Sequence, residues 1–245
     1  MMLTGKRALV TGASRGIGAS IAKALAAEGA DVAITYEKSA ERAAEVVRAI
    51  EAHGRRAVAI QADSADVTAV QASVERTVAK LGGLDILVNN AGILRVAELK
   101  DISLEDIDAI LNVNVRAPIV ASKAALAHLT KGGRIITIGS FFADRVPASV
   151  LSVYAGSKSA LVAFTKGLAR ELGPKEITVN LVQPGSIDTD MNPTNGPFAG
   201  TLQQITALGR YGAVEDIANA VAFLASAKAQ YITGSALTVD GGAIA

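Results

Sequence analysis

The stretch VYAGSKSAL, residues 153–161, carries a tyrosine and a lysine four residues apart, Tyr154 and Lys158. On a helix this spacing puts both side chains on one face. A free tyrosine has a pKa of about 10 and transfers protons poorly near neutral pH, whereas a neighbouring ammonium favours its phenolate. The pair therefore indicates proton transfer. The alternative is a helix surface that happens to carry both residues, since pairs at this spacing are common there.

The composition excludes several other kinds of site and partner. The 245 residues include 24 basic and 23 acidic side chains, so the strong positive field of a nucleic-acid-binding protein is missing. Without cysteine, and with only His53 and His128 as histidines, we expect no disulfide and no metal site. No apolar run has the length of a membrane span, and no secretory signal is recognisable. We expect a cytoplasmic protein that binds neither nucleic acid nor membrane.

Short apolar runs rich in β-branched residues alternate with longer amphipathic segments, a pattern that predicts alternating strands and helices. The predicted strands cover 7–12, 31–36, 57–63, 85–92, 134–140, 177–185 and 236–242. The predicted helices cover 16–29, 39–54, 66–81, 104–130, 151–172 and 214–226, with Ser39 as the N-cap of the second.

Strands this uniformly apolar are typical of a parallel sheet that is buried on both faces. Repeated β–α–β units predict an α/β fold of the doubly wound, Rossmann type, with about seven parallel strands in a three-layer αβα sandwich. No linker interrupts the pattern, so we expect residues 1–245 to form one domain. The long irregular stretch 186–201 is of a kind that is usually functional or disordered.

The segment TGASRGIG joins the first predicted strand to the first helix and contains Gly12, Gly16 and Gly18. In a doubly wound sheet, ligands bind at the carboxyl ends of strands, near the point where the strand order reverses. A helix that begins near Gly16 points its free N–H groups and its positive dipole end at that crevice. A dinucleotide site is favoured, although the spacing is not G-x-G-x-x-G and a plain tight turn also needs glycine.

The residues after the second strand bear on which dinucleotide binds. An NAD site usually has an acidic residue there for the ribose 2′-hydroxyl, whereas this chain has Tyr36 followed by Glu37. Arg15, inside the glycine loop, is placed to pair with a 2′-phosphate, and Lys38 and Ser39 lie close by. The set favours NADP(H) over NAD(H), while Glu37 argues against it because a carboxylate would repel the phosphate.

Four motifs follow one another in the chain: TGASRGIG, NNAG at 89–92, YAGSK at 154–158 and PGSIDT at 184–189. With these motifs the chain resembles the short-chain dehydrogenase/reductase family, single-domain type, over essentially its whole length. It looks most like bacterial 3-oxoacyl-carrier-protein reductases and related NADPH ketoreductases. The resemblance implies an oxidoreductase that reduces a ketone or aldehyde to an alcohol, and a homotetramer.

The resemblance also implies four catalytic residues. Ser140 would bond the substrate carbonyl, and Tyr154 would be the general acid in reduction. Lys158 would bond the nicotinamide ribose and lower the pKa of the tyrosine. Asn114 would hold a water that links Lys158 to solvent, or else it only satisfies backbone groups.

The implied cofactor contacts come from the loops at the strand ends. Asp63 would contact the adenine amino group, unless it caps the next helix, and residues 90–92 would line the adenosine ribose. Ile187 and Thr189 would meet the nicotinamide carboxamide and the phosphates. The whole expected cofactor set is Gly12, Ser14, Arg15, Gly16, Ile17, Gly18, Tyr36, Lys38, Ser39, Asp63, Ser64, Asn90, Ala91, Gly92, Tyr154, Lys158, Pro184, Gly185, Ile187 and Thr189.

Five apolar residues are candidates for the substrate pocket, and the segment 186–206 would close over the nicotinamide. Core packing is the alternative for the two phenylalanines. The five candidates are Phe141, Phe142, Val150, Leu151 and Met191.

The sequence is compatible with two classes of substrate. A carrier-protein substrate needs a basic patch beside the active site, for which the candidates are Lys131, Arg134, Arg170 and Lys175. A small ketone or aldehyde needs no such patch. The alternative to an enzyme is a nucleotide-binding regulatory protein on the same scaffold, although a protein that only binds has no need of all four catalytic residues.

Overall fold

The computed structural model describes residues 1–245 and contains one sheet of seven parallel strands. The strands are β1 (Arg7–Val10), β2 (Asp31–Tyr36), β3 (Ala57–Gln61), β4 (Ile86–Asn89), β5 (Arg134–Ile138), β6 (Thr178–Pro184) and β7 (Ala236–Val239). Their order across the sheet is β3-β2-β1-β4-β5-β6-β7. The order reverses between β1 and β4, which opens a crevice at the carboxyl ends of these two strands.

Helices cover both faces of the sheet. They are α1 (Gly16–Ala27), α2 (Ala40–Glu51), α3 (Val67–Leu81), α4 (Leu104–Leu111), α5 (Ala117–Ala125), α6 (Ser152–Leu172), α7 (Ala199–Ile205) and α8 (Val214–Ala225). A core cluster of 28 buried residues joins α1, α2 and α8 to one face, and a cluster of 18 joins α3, α5 and α6 to the other. The predicted three-layer doubly wound fold is confirmed.

The predicted single helix over 104–130 is correct only in part, because the chain is helical without a gap from Leu104 to Ala125 but does not form one regular α-helix. The chain forms α4, then a π-helical turn at Asn112–Arg116, then α5, which ends at Ala125. Pro118 is the reason, because it has no N–H to donate to the Asn114 carbonyl four residues earlier and its ring crowds that carbonyl. Single π-helical turns occur frequently at functional sites.

Two smaller predictions also need correction. Ser39 occupies the N-cap position of α2, but its side chain makes no cap hydrogen bond. The irregular segment 186–201 is not wholly irregular, since α7 begins at Ala199 inside it. None of the helices combines the length and the apolar character that a membrane crossing requires.

Candidate active site

A cavity of about 830 Å³ lies at the carboxyl ends of the strands, over the crevice between β1 and β4. All of the predicted cofactor and substrate-pocket residues line it, together with Ser140, Tyr154 and Lys158. Asn114 is the one predicted site residue that does not line it. The positions of these residues therefore agree with the sequence analysis, while their individual roles stay predictions.

The glycine loop packs closely against the loop that follows β4. Gly12 has a φ of 63°, and a Cβ at this position would lie 2.8 Å from Ala91 Cα, so both conformation and space demand glycine. Gly16 has a φ of 56°, but a Cβ there would meet only the Thr189 side chain, at 3.6 Å or more. Gly16 thus keeps the backbone at the start of α1 open towards the cavity.

Asn90 ties these two loops together. Its Nδ2 donates to the carbonyl oxygens of Thr11 and Gly12, at 2.9 and 3.0 Å. Thr11 Oγ1 accepts in return from the backbone N–H groups of Asn90 and Ala91. The side-chain amide donors of Asn90 are therefore used within the protein, and sequence reasoning missed Thr11 as their partner.

Asp63 and Asp66 share the turn that precedes α3. Asp63 Oδ1 accepts from Ala65 N at 2.8 Å, and the N-cap of α3 is Asp66, whose side chain accepts from Thr68 N. The alternative in which Asp63 caps this helix is therefore wrong, and Asp63 lines the cavity.

Two arginines meet at the adenine-binding end that the sequence analysis predicts. Arg15 Nη1 and Arg42 Nη1 both donate to Oδ2 of Asp190, at 2.8 and 2.9 Å. Lys38 pairs with Glu37 at 2.9 Å, so that the carboxylate counted against NADP is locally compensated. The sequence analysis missed Arg42 and Asp190 as functional candidates. Arg42 could have been found, because it lies three residues after the predicted cofactor residue Ser39 on the same helix.

Tyr154 and Lys158 lie in the first two turns of α6 and face the end of β5. Lys158 Nζ donates to the Ile138 carbonyl at 3.1 Å and lies 5.9 Å from the centre of the Tyr154 ring. Ser140 follows β5, and its hydroxyl accepts from Phe142 N. The helix and the strand end thus bring hydroxyl, phenol and ammonium groups together.

Gln183 of β6 holds Ser140 in place from the neighbouring strand. Its Nε2 donates to the Ser140 carbonyl at 3.2 Å and to Asp144 Oδ2 at 3.0 Å. The sequence analysis missed this residue. A glutamine in the apolar run VNLVQP could have indicated it, because a buried polar side chain needs hydrogen-bond partners.

Burial changes the pKa values of the pair in opposite directions. It raises the pKa of Tyr154 to about 12, and a hydrogen bond to Ser140 opposes this rise. It lowers the pKa of Lys158 to about 8, because the ammonium loses its hydration. Burial thus outweighs the hydrogen bond to Ser140, and Tyr154 is a neutral phenol at neutral pH. The lowering of the tyrosine pKa by Lys158 and the bound nicotinamide stays a prediction.

Asn114 lies in the π-helical turn and is 1% exposed. Its Oδ1 accepts from Ile93 N at 2.9 Å, while Nδ2 donates to the Ile93 carbonyl and to Ser157 Oγ. That Asn114 holds a water which links Lys158 to solvent stays a prediction, and the direct contacts bear on the other role considered for it. They fit the alternative role, in which Asn114 satisfies the backbone of the loop after β4 and holds it against α6.

The two phenylalanines beside Ser140 differ in their surroundings. Phe141 is 2% exposed and packs in a small core cluster with Leu202 and Tyr211. Phe142 presents an edge to the Tyr154 ring, with 6.2 Å between the ring centres. Phe141 is thus mainly a core residue that also borders the cavity, whereas Phe142 is a wall of the catalytic end of the cavity.

A sheet with this switch point, a glycine loop above it and a serine, tyrosine and lysine at one end of the cavity defines a dinucleotide-dependent oxidoreductase. The chain belongs to the short-chain dehydrogenase/reductase family. A family model described as enoyl-(acyl carrier protein) reductase matches residues 12–243.

Two similar proteins differ in the function that their names describe. The cyclic-di-GMP-binding biofilm dispersal mediator protein of Escherichia coli is 44% identical over 238 residues, which are 97% of each chain. Versicolorin reductase 1 of Aspergillus parasiticus is 42% identical over 256 residues, covering 98% of this chain and 97% of the relative.

Solved structures are similar over the full length. A short chain dehydrogenase from Burkholderia cenocepacia in complex with NADP is 61% identical, with a TM-score of 0.99 and 100% of both chains covered. A blue fluorescent protein from a metagenomic library in complex with NADPH is 52% identical, with a TM-score of 0.98 and 100% of both chains covered.

Proposed function

We propose that this chain, residues 1–245 as one domain, is an NADPH-dependent reductase that converts a neutral, apolar ketone or aldehyde to an alcohol. The observation that carries the proposal is the split character of the cavity. Its charged lining residues are Arg15, Glu37, Lys38, Asp63, Asp190 and Lys158. Only Lys158 of these belongs to the catalytic end, where the remaining lining is apolar or uncharged.

The residues at the other end fit NADP. Two guanidinium groups converge there on one carboxylate oxygen, which supports an anion site at this end. Arg15 would hold the 2′-phosphate, the open backbone at Gly16 the pyrophosphate, and Lys158 the nicotinamide ribose. Similar structures that contain NADP or NADPH support the same cofactor. When bound, the nicotinamide supplies the hydride that reduces the carbonyl carbon.

The protein supplies the proton and the positions of the reacting groups. Ser140 donates a hydrogen bond to the substrate carbonyl oxygen and orients it. Negative charge grows on that oxygen during reduction, and Tyr154 transfers its phenolic proton there. The ammonium of Lys158 stabilises the phenolate that remains.

The pKa of Tyr154 suits its role as the proton donor in reduction. Because burial raises the pKa of Tyr154 to about 12, the phenol is protonated and ready to donate before the reaction begins. Oxidation of an alcohol would use the phenolate as a base, so the two directions need opposite protonation states of Tyr154.

A carrier-bound substrate is not favoured by the positions of the basic candidates. Arg134 is buried at the start of β5 and donates to the carbonyls of Gly132 and Gly133, and Lys131 pairs with Glu176. Arg170 is 16 residues beyond Tyr154 on α6, which is about 24 Å along the helix. These cations lie towards the end of the sheet where the strands begin, away from the cavity.

A substrate panel tests the proposed function. We expect NADPH-dependent turnover of uncharged aryl and alkyl ketones, and at least about ten-fold lower kcat/KM for 2-oxo acids of the same size. The only cation that lines the catalytic end is Lys158, which we assign to the nicotinamide ribose and to Tyr154, so the carboxylate of an oxo acid would be buried there without a cation of its own. NADPH absorbance measures the rates. Equal rates for ketones and oxo acids would contradict the proposal.

The biofilm dispersal relative favours a second candidate, a nucleotide-binding regulator with little turnover. The presence of Ser140, Tyr154 and Lys158 around one cavity supports the enzyme instead. NADPH binding without turnover of any ketone in the panel would favour the regulator.

A homotetramer is part of the proposal, as the family resemblance implies. Exposed apolar side chains on α4 and α5 support a shared surface there, among them Leu104 at 75%, Leu111 at 44% and Ile119 at 39% exposure. Light scattering at micromolar concentration should give four times the chain mass, and a monomer would contradict the prediction. The cytoplasm stays the predicted location.

A further inference from the structure

An ion-pair cluster lies at the end of the cavity to which we assign the adenosine 2′-phosphate, where two of its members line the cavity and Arg42 adjoins them. It consists of Arg15, Arg42 and Asp190, whose side chains are 58%, 54% and 58% exposed. A single oxygen, Asp190 Oδ2, accepts from both guanidinium groups. Two cations thus share one anion.

The two arginines come from different elements that the sheet brings together. Arg15 is the residue immediately before α1, and Arg42 lies in the first turn of α2. Both helices begin at the carboxyl ends of neighbouring strands, β1 and β2. The Ser39 side chain at the start of α2 makes no cap hydrogen bond, so its hydroxyl is available to an anion.

Asp190 belongs to a third region, the segment that follows β6. Its neighbour Thr189 lies over Gly16, with the methyl carbon 3.6 Å from the position that a Cβ of Gly16 would occupy. The carboxylate therefore reaches the arginines from above the glycine loop. It carries a single negative charge, which leaves one positive charge of the two guanidinium groups uncompensated.

We propose that Arg42 is a specificity-determining residue for the cofactor 2′-phosphate, acting with Arg15, and that Asp190 is an internal anion which the phosphate displaces. This inference rests on the proposed use of NADPH. A phosphate carries more negative charge than the carboxylate and offers three acceptor oxygens, so it can bind both guanidinium groups at once. Exposed ion pairs contribute little to stability, which makes the exchange of Asp190 for phosphate inexpensive.

Binding of nucleotide fragments tests this inference without any turnover. Adenosine 2′,5′-bisphosphate carries the 2′-phosphate, and adenosine 5′-monophosphate lacks it, so calorimetric titration with both isolates the phosphate contact. Arg42→Gln should weaken the bisphosphate about ten-fold and the monophosphate less than two-fold, since hydrogen bonds to charged groups are strong. Arg15→Ala should do the same. Arg48→Ala, which removes an exposed arginine of the same helix, should change neither affinity.

The aspartate is tested in the opposite direction. Asp190→Asn keeps the shape of the side chain and removes the competing charge. The bisphosphate should therefore bind about two- to five-fold more tightly, and the affinity for the monophosphate should not change. Weaker bisphosphate binding by this variant would overturn the role of Asp190 as a competitor.

Other outcomes separate this inference from the proposed function. Equal losses for both nucleotides in Arg42→Gln, or no loss for either, would overturn the role of Arg42. Equal affinity of the unmodified protein for the two nucleotides would instead overturn the proposed use of NADPH. Far-ultraviolet circular dichroism confirms that each variant is folded, which we expect because all the replaced side chains are exposed.

Discussion

Tyr154→Phe should lower kcat for ketone reduction by about 100- to 10,000-fold, the usual contribution of general acid catalysis. The change removes only the phenolic hydroxyl, so the ring still packs against Phe142 and the cavity keeps its shape. NADPH affinity, measured by fluorescence titration, should stay within two-fold of the unmodified value. The rate is measured with the best ketone of the substrate panel.

The matched control for this variant is Tyr231→Phe, because Tyr231 is 100% exposed and remote from the cavity lining. It loses the same hydroxyl and should keep full activity. If Tyr154→Phe retained more than a tenth of the activity, another group would have to be the proton donor.

Lys158→Met should lower kcat/KM by about 100-fold. Lys158 Nζ lies 5.9 Å from the centre of the ring on which the phenolate charge develops. At about 6 Å, a unit charge contributes about 3 kcal/mol at an effective dielectric constant of about 20, and about two factors of ten correspond to that energy. Methionine keeps the apolar stem and removes the charge. The variant should also lose the fall in rate with rising pH that the unmodified protein is expected to show, so the activity is measured over a range of pH.

The expected pH dependence follows from the pKa of Lys158, which burial lowers to about 8. Below pH 8 the ammonium is present, and above it the charge is lost, so the rate of reduction by the unmodified protein should fall as pH rises through 8. Lys158→Met should show no such fall. A fall of the same size in the variant would mean that a different group titrates.

The thermal midpoint of Lys158→Met distinguishes a loss of catalysis from a loss of folded protein. Burial makes the pKa of Lys158 lower in the folded protein than in the unfolded chain, so the charged side chain lowers the free energy of unfolding at neutral pH. This destabilisation decreases as pH rises from about 8 to 10.5, the pKa of an unperturbed lysine. The thermal midpoint of Lys158→Met at pH 7 should therefore be no lower than that of the unmodified protein. Lys166→Met, at an exposed position of α6, is the matched control for both measurements.

Local pattern in the chain was enough to predict most of the fold and most of the cavity lining. Apolar β-branched runs and amphipathic segments depend on neighbouring residues only, so the seven strands were predicted correctly in number and place. The tyrosine and lysine needed only helical spacing to share a face, and the glycine loop needed only its place after the first strand. Pro118 was also a local signal for an irregular turn, and the predicted regular helix overlooked it.

Contacts between distant segments were decided by the tertiary structure alone. Asp190 is 175 residues from Arg15 and 148 from Arg42, and no spacing rule connects them. Asn114 reaches Ile93 and Ser157 because the π-helical turn lies between the loop after β4 and helix α6. The pKa values of Tyr154 and Lys158 likewise depend on how completely packing removes water around them, and the order of residues along a chain does not specify that.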